Sequence, residues 1–204
     1  MTYAELVEIL KEHGVHFAPG LTEDELAKAE EFYDIRFPKA LREFYAAGLP
    51  VSTDPPEPPP TLRWDWFPLW NDFSEESVAL IRKQMEWPRI SVLGDVENGY
   101  WGKAWGERPE KMEDRLEVCR AVLDQGPKLI PVHVRRYVPQ LDGVDDPPVI
   151  SVYGLDTIYY GADFTDYLYR EFLRGLPHEA GTPSVNIPVW SDIVEGNNSG
   201  SNWH

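Results

Sequence analysis

Residues 147–172 read PPVISVYGLDTIYYGADFTDYLYREF. Residues 149–153 and 157–160 are runs of β-branched and aromatic side chains of strand length. Gly154-Leu155-Asp156 between them supplies a tight turn, so the stretch predicts an antiparallel hairpin. Asp163 then stands where an N-cap belongs. The helix it opens runs to Arg174, with Phe164, Leu168 and Phe172 inward and Gly175 as its stop. Just upstream, residues 128–138 predict one further strand, with Ile130, Val132 and Val134 on one face and Pro131, His133 and Arg135 on the other. Downstream of Pro177, Val185, Ile187, Val189 and Trp190 are isolated among Gly, Asn, Ser and Pro. That segment predicts an extension draped over the domain, loose after Glu195.

The first quarter of the chain is helical. Tyr3, Leu6, Val7 and Leu10 share a face, and Gly14 ends that helix. Thr22-Glu23-Asp24-Glu25 reads as a capping box, with hydroxyl and carboxylate each satisfying a free backbone N–H. Leu26, Ala29 and Tyr33 follow at helical spacing. Pro38 separates a third, short helix that buries Leu41, Phe44 and Tyr45 and stops at Gly48. Residues 54–60, DPPEPPP, lack five backbone donors and predict an extended connector; a ligand for a proline-recognising domain is the alternative. TLRWDWFPLWNDF, residues 61–73, holds three Trp and two Phe, so part of it is core. Ser74 caps a helix with Val78, Ile81 and Met85 inward, which Pro88 is expected to break. Residues 90–93 and 100–105 then predict two strands joined by the turn-rich 94–99. Residues 110–123 return to helix, placing Met112, Leu116, Cys119 and Leu123 on one face.

The 204 residues carry 35 acids against 19 bases, a net charge of −16. The acidity is spread along the chain. Such a protein repels phosphate backbones, which argues against a nucleic-acid partner, and attracts a basic protein over about a Debye length, ~8 Å. Plain solubility is the competing reading of the same charge. No apolar run approaches the ~20 residues of a membrane helix. The acidic, amphipathic start MTYAELVEILKEHG is unlike a signal peptide, so a cytoplasmic location is expected. The single cysteine excludes an intrachain disulfide and a cysteine-based zinc site.

Chemistry-bearing motifs are scarce. There is no phosphate-binding glycine loop, no HExxH and no GxSxG. His13 and His16 flank Gly14 without a third ligand, so no metal is expected. Asp65, Asp72 and Asp156 could form an acid pair only if the fold brought them together. Cys119, on an apolar helix face, reads as a small hydrophobe. The densest polar cluster is His133, Arg135, Arg136 and Tyr137. It suits either a hydrogen-bond network within the fold or a site for an anion or carboxylate, the latter in a small-ligand enzyme or hydrolase.

The segment GLTEDELAKAEEFYDIRFPKALREFYAAG, residues 20–48, resembles the opening of the SUKH superfamily, the Smi/Knr-like proteins. An acidic helix, an aliphatic-Pro step and a helix with a Phe-Tyr stripe carry the likeness. FPLW at 67–70, the strand at 128–137 and the quoted 147–172 extend it over most of residues 20–174. The resemblance implies an α+β domain with a mainly antiparallel sheet packed by helices, here residues 1–176 with the connector 54–60 inside it and residues 177–204 as a C-terminal extension. It also implies a non-enzymatic, cofactor-free protein-binding role. In many bacterial members that role is neutralising a toxin, often a nuclease; in a fungal member it is coordinating cell-wall synthesis. A basic toxin domain is the expected partner, because nuclease domains that hold phosphates are basic. Two stretches offer interface anchors: Trp64, Asp65 and Trp66, and Tyr159 and Tyr160. Trp64 and Trp66 share a face that is either core or an exposed patch. Adjacent residues on a strand point to opposite faces, so at most one of Tyr159 and Tyr160 faces the core.

Overall fold

The computed structural model describes residues 1–52 and 66–198. The connector 54–60, Trp64 and Asp65 lie outside the described residues. Helix α1 (Tyr3–Glu12), strand β1 (His16–Ala18), α2 (Glu23–Tyr33), α3 (Lys39–Ala47) and β2 (Leu49–Val51) come first, with β1 and β2 paired antiparallel. Both Thr2–Glu5 and Thr22–Glu25 form reciprocal capping boxes, which fix the starts of α1 and α2. Leu6, Val7 and Leu10, then Leu26, Ala29 and Tyr33, then Leu41, Phe44 and Tyr45 are buried at the expected spacing. After residue 66 the chain delivers Trp70 into the same core, fully enclosed and edge-on to Tyr33 and Phe37 at ring distances of 5.5 and 5.1 Å.

Helix α4 (Glu75–Glu97) departs from expectation. It continues through Pro88, and residues 90–93 are helix, not strand. Ser77, Ile81, Pro88, Val92 and Val96 are its buried side, at helical spacing. Ile90, two residues from Val92, is 52% exposed on the opposite side, where a strand would have paired the two. The proline removes the N–H that would have met the Gln84 carbonyl. The hydroxyl of Tyr137 donates to that carbonyl instead, at 2.9 Å. Residues 100–105 are also not a strand pair: Tyr100 and Trp101 are buried and Lys103–Trp105 forms a 3-10 turn. Aromatic burial, not β-pairing, explains that run.

Helix α5 (Met112–Leu123) is followed by a four-stranded antiparallel sheet in chain order: β3 (Leu129–His133), β4 (Arg136–Pro139), β5 (Val149–Ser151) and β6 (Ile158–Gly161). The single strand expected over 128–138 is in fact a hairpin. It reverses at Val134-Arg135, with Val134 at φ +52°, a left-handed conformation unusual for a β-branched residue. A register shift between Pro131 and His133 breaks the expected alternation. The predicted β5–β6 hairpin and the Asp163 cap of α6 (Phe164–Phe172) both form. The extension after Pro177 carries a helix that was not expected, α7 (Trp190–Asn198), which runs past Glu195 and buries Trp190, Ile193 and Val194; residues 199–204 lie outside the described residues.

The sheet has a core on each face. Ile130, Val132, Val138 and Val149 join α1, α2, α3 and α6 in one cluster. Leu129, Tyr137, Ile150 and Val152 join α4, α5 and α7 in the other. The chain is thus a single α+β domain with antiparallel pairing throughout its sheets. No helix among the described residues is long and apolar enough to cross a membrane.

Candidate binding surface at the turn end of the sheet

Two cores mean that neighbouring side chains on a strand can both be absorbed by packing. Tyr159 packs toward the α4–α5–α7 side, its hydroxyl 2.6 Å from Ser191 Oγ. Tyr160 packs toward α6, with the Arg136 guanidinium 3.9 Å from its ring centre. Both are half-buried. The expectation that at most one of them faces the core is therefore wrong, because the sheet is covered on both sides. Trp66 is half-buried too, and its carbonyl accepts from Gln84 Nε2 at 3.3 Å.

The polar cluster divides between the same two faces. His133 is stacked on Phe67 (4.4 Å, 27°) and meets Phe172 at 5.3 Å. Arg136, its cross-strand partner, donates to Ser151 Oγ at 2.9 Å and lies 3.4 Å from Glu171. Tyr137 points the other way, into the second core. Arg135 sits in the turn, its guanidinium 3.8 Å from the Tyr153 ring centre and 5.5 Å from that of Trp87. The structure does not bring the four together around one point. Three hold strands to helices, and Arg135 is half-buried in the turn against Trp87 and Tyr153.

Arg135 is the centre of what the fold presents. The β3–β4 and β5–β6 turns emerge at one end of the sheet, because Arg136 pairs with Ser151 and Ser151 with Ile158. Trp87, one residue before the helix-interior proline, donates from Nε1 to the Val152 carbonyl at 3.3 Å. Its ring lies 6.2 Å from that of Tyr153, interplanar angle 30°. Tyr153 is 51% exposed, and the exposed Ile158 follows on β6. Trp, Tyr and Arg are the side chains that dominate contact energy at protein interfaces, and here they are already held against one another. The exposed carboxylates of Glu86 and Asp156 flank this stack in sequence. Sequence reasoning missed Trp87 and Tyr153. Trp87 stands beside Pro88, where a helix break was expected, and Tyr153 read only as the last residue of a strand.

Other groups are committed elsewhere. His13 Nδ1 meets the Ile9 carbonyl at 2.9 Å at the end of α1. Asp72 accepts from the Ser74 N–H at 2.9 Å, while Asp156 is exposed in the β5–β6 turn. Burial pushes the Cys119 thiol up to about 11, so it stays protonated and packs as an apolar side chain. Among the described residues no group of three or more His, Cys, Asp or Glu could hold a metal ion. A groove of about 380 Å³ lies between α2 and the sheet. Several of its polar groups are engaged within the fold: Lys128 on Asp34, Glu30 on Arg42 and the Phe37 N–H, Gln140 on the Arg36 N–H. Comparison with protein-family models, with curated proteins and with solved structures returns no match to this chain.

Proposed function

We propose that this chain is a non-enzymatic binding module that acts in the cytoplasm and neutralises a basic toxin domain by covering it, as in the toxin-immunity branch of the SUKH superfamily that its sequence resembles. The observation that carries the reading is the Trp87–Arg135–Tyr153 stack at the turn end of the sheet, which presents the exposed Tyr153 on a chain of net charge −16. Preassembled aromatic and guanidinium side chains give a partner a rigid anchor at little entropic cost. The surrounding negative charge steers a basic surface toward it and rejects acidic ones. A nuclease domain, basic because it binds phosphates, fits both properties.

The test is to look for a secreted toxin gene beside this one and to co-express its toxin domain with the protein; absence of any such neighbour counts against the reading. The reading expects restored growth and a complex that survives size-exclusion chromatography, with affinity falling as salt rises. Unrelieved toxicity and no complex at any ionic strength would overturn it.

A further inference from the structure

A second concavity lies on the α4–α5–α7 side, about 230 Å³ in volume, between the 3-10 turn and α7. Tyr100, Trp105 and Ile193 form its walls, and Asp192 and Glu195 border it. The two carboxylates are three residues apart on α7, so they stand on one face of that helix. Both are exposed, and neither makes an ion pair among the described residues. Lys103 also borders the groove without pairing to them.

The Trp105 indole is held in place. It stands edge-on to Tyr100 (5.3 Å, 87°) and to Trp101 (5.4 Å, 82°). Trp101 is fixed in turn by its Nε1–H, which donates to the Gly106 carbonyl at 2.9 Å. Residue 102 must be glycine for this arrangement, because a Cβ there would fall 2.6 Å from the indole ring. A fixed indole and two carboxylates lining one groove, with no ion pair to either carboxylate among the described residues, are the chemistry that holds a planar cation: the ring takes its face and the carboxylates its N–H groups. At about 230 Å³ the groove is below the ~300–1,000 Å³ of sites that enclose small-molecule ligands, and it suits one side chain. It is also joined to the turn-end surface. Asp95 accepts from the Leu155 N–H of the β5–β6 turn at 2.7 Å, and its own carbonyl accepts from the Tyr100 N–H at 2.9 Å.

We infer that this groove is the seat of one arginine side chain of the basic protein partner. The assignment rests on the binding-module reading and names a contact of that partner. Arginine fits better than lysine because its guanidinium can stack on the indole and meet both carboxylates at once.

The test uses a small probe, so that it stands apart from the partner. N-acetyl-arginine amide is titrated into the full-length protein, with ¹H–¹⁵N spectra following the Trp105 indole N–H, assigned with Trp105→Phe. N-acetyl-lysine amide and the neutral isostere N-acetyl-citrulline amide are the controls. The expected result is a saturable shift of the Trp105 indole and Gly102 signals with the arginine probe, larger than with lysine and absent with citrulline. Asp192→Asn with Glu195→Gln weakens it by about fivefold or more while leaving the remaining spectrum unchanged. Equal responses to all three probes, no response at Trp105, or indifference to the carboxamide variants would overturn the assignment. If the titration is negative but the toxin complex forms, this inference falls and the binding-module reading stands. If the titration is positive and no basic partner binds, the binding-module reading falls and takes the partner's arginine with it, leaving only a groove that takes a free guanidinium.

Discussion

Replacing Tyr137 with Phe removes one hydroxyl whose partner exists because of a proline 49 positions earlier. Pro88 leaves the Gln84 carbonyl without its helical donor, and Tyr137, 1% exposed, supplies one at 2.9 Å. Deleting it leaves a part-buried carbonyl in α4 with neither the hydroxyl nor a helical N–H, a cost of about 1–3 kcal/mol. In a Pro88→Ala background the new N–H at position 88 can bond that carbonyl within the helix. Tyr137→Phe should then cost about 0.5 kcal/mol or less, giving a coupling of roughly 1–2 kcal/mol between side chains on different elements. The assay is urea unfolding of all four proteins by tryptophan fluorescence, with stability differences taken from midpoints at constant slope. Equal costs for Tyr137→Phe in both backgrounds would refute the claim that the tyrosine substitutes for the missing helical bond.

Further outcomes follow from the same geometry. Arg135→Ala and Tyr153→Ala should each weaken partner binding by about 2 kcal/mol in calorimetry; Tyr153→Ala should lower stability by under about 1 kcal/mol, since that ring is 51% exposed. Burial raises the Asp166 carboxyl, but hydrogen bonds from the Ala162 N–H, Arg170 and His178 outweigh it and hold the group below its ordinary range. Its stabilisation is therefore complete above the unfolded value, ~3.9, and fades as pH falls through the folded one. Asp166→Asn should cost about 1.5–3 kcal/mol at pH 7 and progressively less in acid unfolding curves below about pH 4. Asp146 behaves oppositely. Burial holds it above its ordinary range despite accepting from the Phe164 N–H, so ionisation at neutral pH opposes folding, and Asp146→Asn should leave thermal stability at pH 7 unchanged or raised. Gly154→Ala should lower stability by at least about 1–2 kcal/mol, because φ there is +56° and the new Cβ would overlap the Asp95 carboxylate.

The parts of the fold legible in sequence were those decided locally. Thr22 and Glu25 carry their capping instruction within four residues, and the β5–β6 hairpin carries its turn at Gly154. What misled were positions where a distant group overrides a local rule. Pro88 reads as a helix break unless the Tyr137 hydroxyl is known to stand opposite Gln84. Residues 128–138 read as one strand because the reversal uses Val134 and Arg135, neither a turn former, with Val134 in a left-handed conformation. Tyr159 and Tyr160 looked like competing options because strand alternation says which residues share a face, not how many faces are buried. The same gap hid the candidate surface. Arg135 was singled out, but with His133, Arg136 and Tyr137, which the bulge and the hairpin turn away from it. Its actual companions, Trp87 and Tyr153, come from a helix and a second turn. Helix α7 was legible in retrospect, since Trp190, Ile193 and Val194 follow helical spacing; the Gly196-Asn197-Asn198 run after them disguised it.

Amide hydrogen exchange of the protein alone and in complex with its basic partner tests the central claim most directly. Binding through the turn end of the sheet should slow exchange at residues 134–135 and 153–157 and at the Trp87 indole, with little change on α1 and α2. Protection confined to α1, α2 or the β1–β2 pair, with the 134–135 and 153–157 turns unchanged, would contradict it.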